Sequence, residues 1–216
     1  VDNSFMSPYG QRPLEFGVDV VMQSSTKSLS GHSDVLGGVL TTNNQDLAER
    51  LQFMLKATGG VPSPFDNWIL LRSTKTLALR YQKASDNALK LAQCLNEQTN
   101  IDHIIYPGLK SHPQHEIAKK QQRNPNGDII YGNMISIDLK TEQARDTFLN
   151  HLEIFTLAES LGGVESLVCV PFNMTHAAVP EESKLKMGIT ESLIRLSIGI
   201  EDFEDLKSDL MKALSL

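Results

Sequence analysis

Short apolar runs alternate with amphipathic stretches along this chain. Phe16–Met22 is short, β-branched and bounded by polar residues, and it predicts a buried strand. The small, hydroxyl-rich run Gln23–Ser28 follows, and Gly37–Thr41 predicts a second strand. Asn44 or Asp46 can cap a helix that carries Leu47, Leu51 and Leu55 on one stripe. Val61–Phe65 is a Pro-punctuated loop. From Asn67 to Gln98 the period is helical, with Ile69, Leu70, Leu77, Ala84, Ala88, Leu91 and Leu95 as its buried positions. So long a helix can join two domains. Beyond it, His103–Tyr106, Met134–Leu139 and Leu193–Ile198 read as strands, and Glu142–Leu152 and Phe203–Leu214 as helices. The alternation indicates α/β in the first part and a sheet with helices in the second, divided into 1–78 and 79–216.

The 216 residues suffice for a sizeable core. The chain opens on Val1 within an apolar segment, which suggests a cut inside a larger fold. No apolar run approaches the length of a bilayer span, and no export leader opens the sequence. A net charge of -6 gives no overall attraction for nucleic acid or an anionic membrane. Cys94 and Cys169 lie far apart and form no CxxC pair, which fits a reducing cytoplasm.

Chemistry concentrates where the first strand ends. Ligands of open α/β sheets bind beyond the carboxyl ends of strands, and hydroxyls with free amides there can hold a phosphate. A partly desolvated lysine at that point has a lowered pKa and can form a Schiff base. Lys27 is therefore either such a group or a solvated turn lysine among capping serines. Arg195 lies in a short apolar strand. Ile194, Leu196 and Ile198 share one face, and Arg195 lies on the other beside Ser197. Its anion partner is an internal carboxylate or a substrate carboxylate.

The motif Ser24-Ser25-Thr26-Lys27-Ser28-Leu29-Ser30-Gly31-His32 resembles the lysine signature of the transsulfuration (Cys/Met metabolism) group of fold-type I pyridoxal-phosphate (PLP) enzymes. Four further blocks follow in the family's order: Tyr106–Leu109, Phe155–Leu167, Met174–Ala177 and Ile194–Ser197. The resemblance implies the C-terminal part of a PLP-binding large domain over 1–78, and a small α+β C-terminal domain over 79–216. It implies that Lys27 holds PLP covalently and that Asp2 pairs with the pyridine nitrogen. Ser24 and Thr26 then bind the phosphate. Arg195 binds the substrate α-carboxylate with Ser160 nearby. Glu159 lies toward the distal end of the substrate, and Thr175 supports the same pocket or packs. Glu before Ser-Leu-Gly-Gly resembles the cystathionine γ-lyases and γ-synthases. Small amino-acid substrates, a cytoplasmic homotetramer and no metal are also implied. Other readings are a β-lyase, a methionine γ-lyase, a sulfhydrylase, or a non-catalytic fragment that only associates with partner subunits.

Ser28 and Ser30 depart from the family, which usually has an aromatic residue and Asn there, and Ser73-Thr74 replaces a common Gly-Leu. Family members are nearly twice as long, so apolar surface should lie exposed on the first part. His112-Pro-Gln-His115 reads as a helix start on Pro113, not a metal pair. His32 is expected to be a hydrogen-bonded core residue, and Trp68 to pack at the start of the long helix.

Overall fold

The structure is a computed structural model and describes residues 1–215. Its N-terminal part holds α1 (Ser7–Gly10), a 3-10 turn at Pro13–Phe16, β1 (Val21–Ser24), β2 (Gly38–Thr41), α2 (Gln45–Thr58) and α3 (Pro64–Thr74). Then come α4 (Leu77–Leu95), β3 (Ile101–Ile105), α5 (His115–Gln121), β4 (Met134–Leu139) and α6 (Glu142–Asn150). The chain continues through β5 (Thr156–Leu157), β6 (Leu167–Cys169), α7 (Glu181–Lys186), β7 (Leu193–Ser197) and α8 (Phe203–Leu214).

The first strand lies later than the pattern predicts. Pro13 starts a 3-10 turn and Gly17, at φ 82°, ends it in the left-handed region. This removes Phe16 from the strand and leaves it exposed. β1 pairs antiparallel with β2, while Asp2 bridges to Met22 in parallel on its other side. Asn44 caps α2, accepting from the Leu47 amide at 3.0 Å. That helix buries none of its residues. Its apolar side and β2 leave Val39, Leu40, Phe53, Met54 and Leu55 exposed.

The single helix expected over 67–98 is two. Three donors converge on the Ser73 carbonyl: the Thr76 amide, the Thr76 hydroxyl and Arg80 Nη2. They close α3, and Lys75-Thr76 form the turn before α4. Trp68 is not packed in a core; it is exposed and stacks on Phe65 at 5.9 Å. Leu77 and Tyr81 of α4 enter a small cluster with Met6, Leu29 and Ile130, while Ala88, Leu91 and Leu95 enter the main core.

That core lies on a five-stranded sheet of order β3-β4-β7-β6-β5, antiparallel except for β5 with β6. Ile194, Leu196 and Ile198 are fully buried there with Leu206 and Leu210 of α8. Arg195, on the opposite side of β7, is half-buried. Pro113 does not open a helix; α5 begins at His115, whose Nδ1 bonds the Pro107 carbonyl oxygen at 2.8 Å. No helix among the described residues is long and apolar enough to cross a membrane.

Candidate active site

Immediately after β1 the chain makes a tight turn over Ser25–Leu29 that is kinked at Lys27, whose φ -90° and ψ -134° are not helical. Its start is tied to the residue just before β2 by the Ser25 amide donating to the Gly37 carbonyl at 2.9 Å. Its far side rests on Arg80 of α4. Arg80 Nη1 donates to the Ser28 carbonyl at 2.9 Å, and Nη2 to the Leu29 carbonyl at 3.3 Å. Burial lowers the pKa of this guanidinium. Gly31 explains the invading arginine: at φ 74°, a Cβ there would stand 2.0 Å from Arg80 Nη1. Only glycine satisfies both the left-handed backbone and the space.

Lys27 Nζ donates to Ser160 Oγ at 3.3 Å. Its pKa is lowered, first by burial and then by the Arg195 cation. Arg195 Nη2 donates to the Glu159 carbonyl at 3.0 Å, and on the same face of β7 Ser197 Oγ accepts from the Gly162 amide at 2.9 Å. The loop 159–165 is thus held by the sheet on one side and meets the lysine turn on the other. Cys169 faces Arg195 in the ladder, and burial pushes its thiol pKa up, more than Arg195 pulls it down.

Thr26 Oγ1 accepts from the Gly37 amide at 3.0 Å. Asp2 Oδ1 accepts from the Ser4 amide at 2.9 Å, and Ser4 Oγ accepts from the Ser24 amide at 2.7 Å. This short chain of bonds connects Asp2 to Ser24. Gln23 Oε1 and the hydroxyls of Ser25, Ser28 and Ser30 are buried with no hydrogen-bond partner among the described residues.

Lys27, Ser160, Arg195 and the Glu159 backbone therefore come together, and Asp2, Ser24 and Thr26 adjoin them through β1. The Glu159 side chain is exposed. Thr175 is exposed and bonds His176 Nδ1 at 2.8 Å; no bond ties it to this group. His32 is not a core residue. It is exposed, and its Nδ1 lies 2.6 Å from the Ser30 carbonyl oxygen. Arg80 escaped the sequence reading, although a cation at a position between the buried Leu77 and Ala84 was a usable signal. Ser4 carried none.

A family model described as "Cys/Met metabolism PLP-dependent enzyme" matches residues 1–215. The chain belongs to the Cys/Met metabolism family of PLP-dependent enzymes. It is 49% identical over 214 residues to the cystathionine gamma-lyase of Bacillus subtilis, covering 99% of this chain and 55% of that protein. It is equally, 49%, identical to a cystathionine beta-lyase of Lactococcus lactis, with 99% and 55% covered. The solved yeast cystathionine gamma-lyase superposes with a TM-score of 0.95 at 47% identity, over 100% of this chain and 54% of that one. The Xanthomonas oryzae cystathionine gamma synthase in complex with cystathionine gives 0.94 at 44% identity, over 100% and 54%. The chain spans about half the length of the curated relatives it matches.

The residues present suit the family's cofactor. PLP presents an aldehyde, a phosphate and a ring nitrogen. The site offers a lysine of lowered pKa, strand-end hydroxyls at Ser24 and Thr26, unpartnered polar atoms in the buried turn, and a carboxylate at Asp2.

Proposed function

We propose that the protein containing this chain is a PLP-dependent transsulfuration enzyme acting on cystathionine or an O-acyl-homoserine, of the γ-lyase or γ-synthase type. Residues 1–78 then form the C-terminal part of the PLP-binding domain and 79–216 the small domain. The observation that carries this reading is the approach of Lys27 Nζ to Ser160 Oγ at 3.3 Å beneath Arg195, within a chain of this family.

In this reading Lys27 holds the cofactor covalently, Ser24 and Thr26 take its phosphate, and Asp2 keeps its ring nitrogen protonated. PLP, when bound, supplies an electron sink for negative charge developing on the substrate. Arg195 and Ser160 orient the substrate α-carboxylate. Glu159 lies toward its distal end, and Thr175, which bonds His176, supports that pocket or packs. Once freed, Lys27 Nζ moves protons between substrate carbons. Burial and the Arg195 cation favour its neutral form, which a base requires.

The β-lyase reading stands second, because a relative of that name is as similar as the first γ-lyase. A cytoplasmic homotetramer is proposed with the function. The two free cysteines are compatible with a reducing compartment.

The deciding experiment uses the full-length protein. Borohydride reduction is expected to fix the cofactor to Lys27, as peptide mass shows, and Lys27→Ala to abolish turnover. Fixation elsewhere overturns the assignment. With cystathionine as substrate, cysteine plus 2-oxobutyrate indicates γ-cleavage, and homocysteine plus pyruvate indicates β-cleavage. If neither forms, O-succinyl- or O-acetylhomoserine with cysteine tests the synthase.

A further inference from the structure

The Gly-Gly pair within Glu159–Glu165 serves neither cofactor nor substrate in the reading above, yet Gly162 is sterically required and Gly163 leaves the Glu165 carboxylate where it lies. Gly162 sits at φ 75°, where a Cβ would stand 2.8 Å from both the amide nitrogen and Oγ of Ser28, beside the lysine. A Cβ on Gly163 would stand 2.7 Å from Glu165 Oε1. The first glycine lets the loop touch the lysine turn. The second clears room for a carboxylate folded back over the loop.

That carboxylate has one target. Ser33 Oγ donates to Glu165 Oε1 at 2.6 Å, a short charge-assisted bond spanning 132 residues of sequence. Ser33 occupies the left-handed region at φ 56°, unusual for a residue other than glycine, Asn or Asp. Next to it the Val164 amide donates to the Gly31 carbonyl at 2.9 Å. The lysine turn and the loop carrying Glu159 and Ser160 are therefore joined at both ends of their contact, by Lys27–Ser160 and by Ser33–Glu165.

We propose that Ser33 and Glu165 are positioning residues, whose hydrogen bond fixes the Glu159–Ser160 loop against the Lys27 turn. This rests on the function proposed above. Arg195 shares in it, because its guanidinium grips the same loop through the Glu159 carbonyl. Loosening the bond lets the groups holding the two ends of the substrate drift relative to Lys27, and small misplacements of reacting groups are costly.

The test is a set of variants of the full-length, cofactor-loaded protein. Visible circular dichroism of the cofactor is measured with kcat and KM. Ser33→Ala and Glu165→Ala are each expected to lower the dichroic band at least about twofold and kcat about tenfold. The double variant should add nothing, because both changes break one bond. Gly163→Ala should mimic them by displacing the carboxylate. Glu165→Gln keeps an acceptor oxygen and should restore most of the band. Lowered thermal stability with an unchanged band and kcat, or additive losses in the double variant, overturns the proposal. If Ser33→Ala does not fold, the comparison of Glu165→Ala with Glu165→Gln reads the same bond. If the wild type binds no cofactor at Lys27, the functional reading has failed instead. Amide exchange of residues 27–31 and 159–165 in the unloaded variants then decides the bond by itself: faster exchange in both segments supports it, and unchanged exchange overturns it.

Discussion

Arg80 Nη1 meets the carbonyl oxygen of Ser28 at 2.9 Å, so a helix 52 residues downstream holds the backbone beside the candidate lysine. The cation is buried and satisfied by the carbonyls of Ser28, Leu29 and Ser73 and by the Thr76 hydroxyl. It thus joins the lysine turn to the α3–α4 junction, which lies more than forty residues later in sequence.

Removing either side of that contact should be expensive. Arg80→Ala leaves the buried carbonyls of Ser28 and Leu29 without a donor, at about 1–3 kcal/mol each, while Ser73 keeps the Thr76 amide and hydroxyl, so a loss above about 2 kcal/mol is expected. Gly31→Ala drives a methyl into the guanidinium and forces a left-handed φ on alanine. Combined, the two should cost less than their sum, because the first clears space for the second. Denaturant unfolding of the full-length variants measures this; strict additivity would sink the steric account.

Lys27 supplies a pH signature that does not depend on turnover. Its folded pKa lies below 10.5, through burial and then Arg195. The unfolded chain therefore binds more protons between the lowered value and 10.5. The resulting cost to stability is complete below the folded pKa and is relieved as pH rises through that window. Lys27→Met should raise the unfolding temperature of the cofactor-free protein at neutral pH. The gain should shrink toward pH 10.5, and a gain that grows with pH contradicts the argument.

What could be read from the residues, and what could not, follows from the range of the forces involved. The alternation Leu193-Ile-Arg-Leu-Ser-Ile198 records its own sheet face, and its alternate apolar residues are fully buried. The lysine motif is likewise local. The break between α3 and α4 is not, because it is imposed by Arg80 turning back onto the Ser73 carbonyl. The strand expected at Phe16 is displaced by one left-handed Gly17. Ser33 and Glu165 are small and acidic surface types, 132 residues apart, and no spacing rule links them.

Arg195 separates binding from stability. Its half-buried guanidinium donates to the Glu159 carbonyl and lies against the Cys169 thiol, and its remaining donors can meet an incoming carboxylate. Arg195→Ala should raise KM about 10- to 100-fold, the worth of a hydrogen-bonded charge. Arg195→Lys should recover part of it, since an ammonium keeps the charge but lacks the planar fork. Steady-state kinetics with cystathionine tests this, and an unchanged KM refutes the carboxylate role.

Asp209 provides the contrasting case, a buried charge that should govern stability alone. Its carboxylate on α8 accepts from the amides of Glu153, Ile154 and Phe155 at 2.8, 2.9 and 3.3 Å. These amides turn the chain out of α6 toward β5, and the site loop begins just beyond. That loop has its own anchors, however, in Ser197 Oγ and in the Ile200 amide donating to the Val164 carbonyl at 2.9 Å. Asp209→Ala strands three amides and should cost about 3 kcal/mol or more. Asp209→Asn should rescue part of this, because its one oxygen can still accept from the Ile154 and Phe155 amides while its NH2 group faces the Glu153 amide. Per folded molecule, kcat and KM should stay at the wild-type values for both variants. A selective fall in kcat at temperatures well below unfolding would show that the turn, and not the loop's own anchors, holds Ser160 against Lys27.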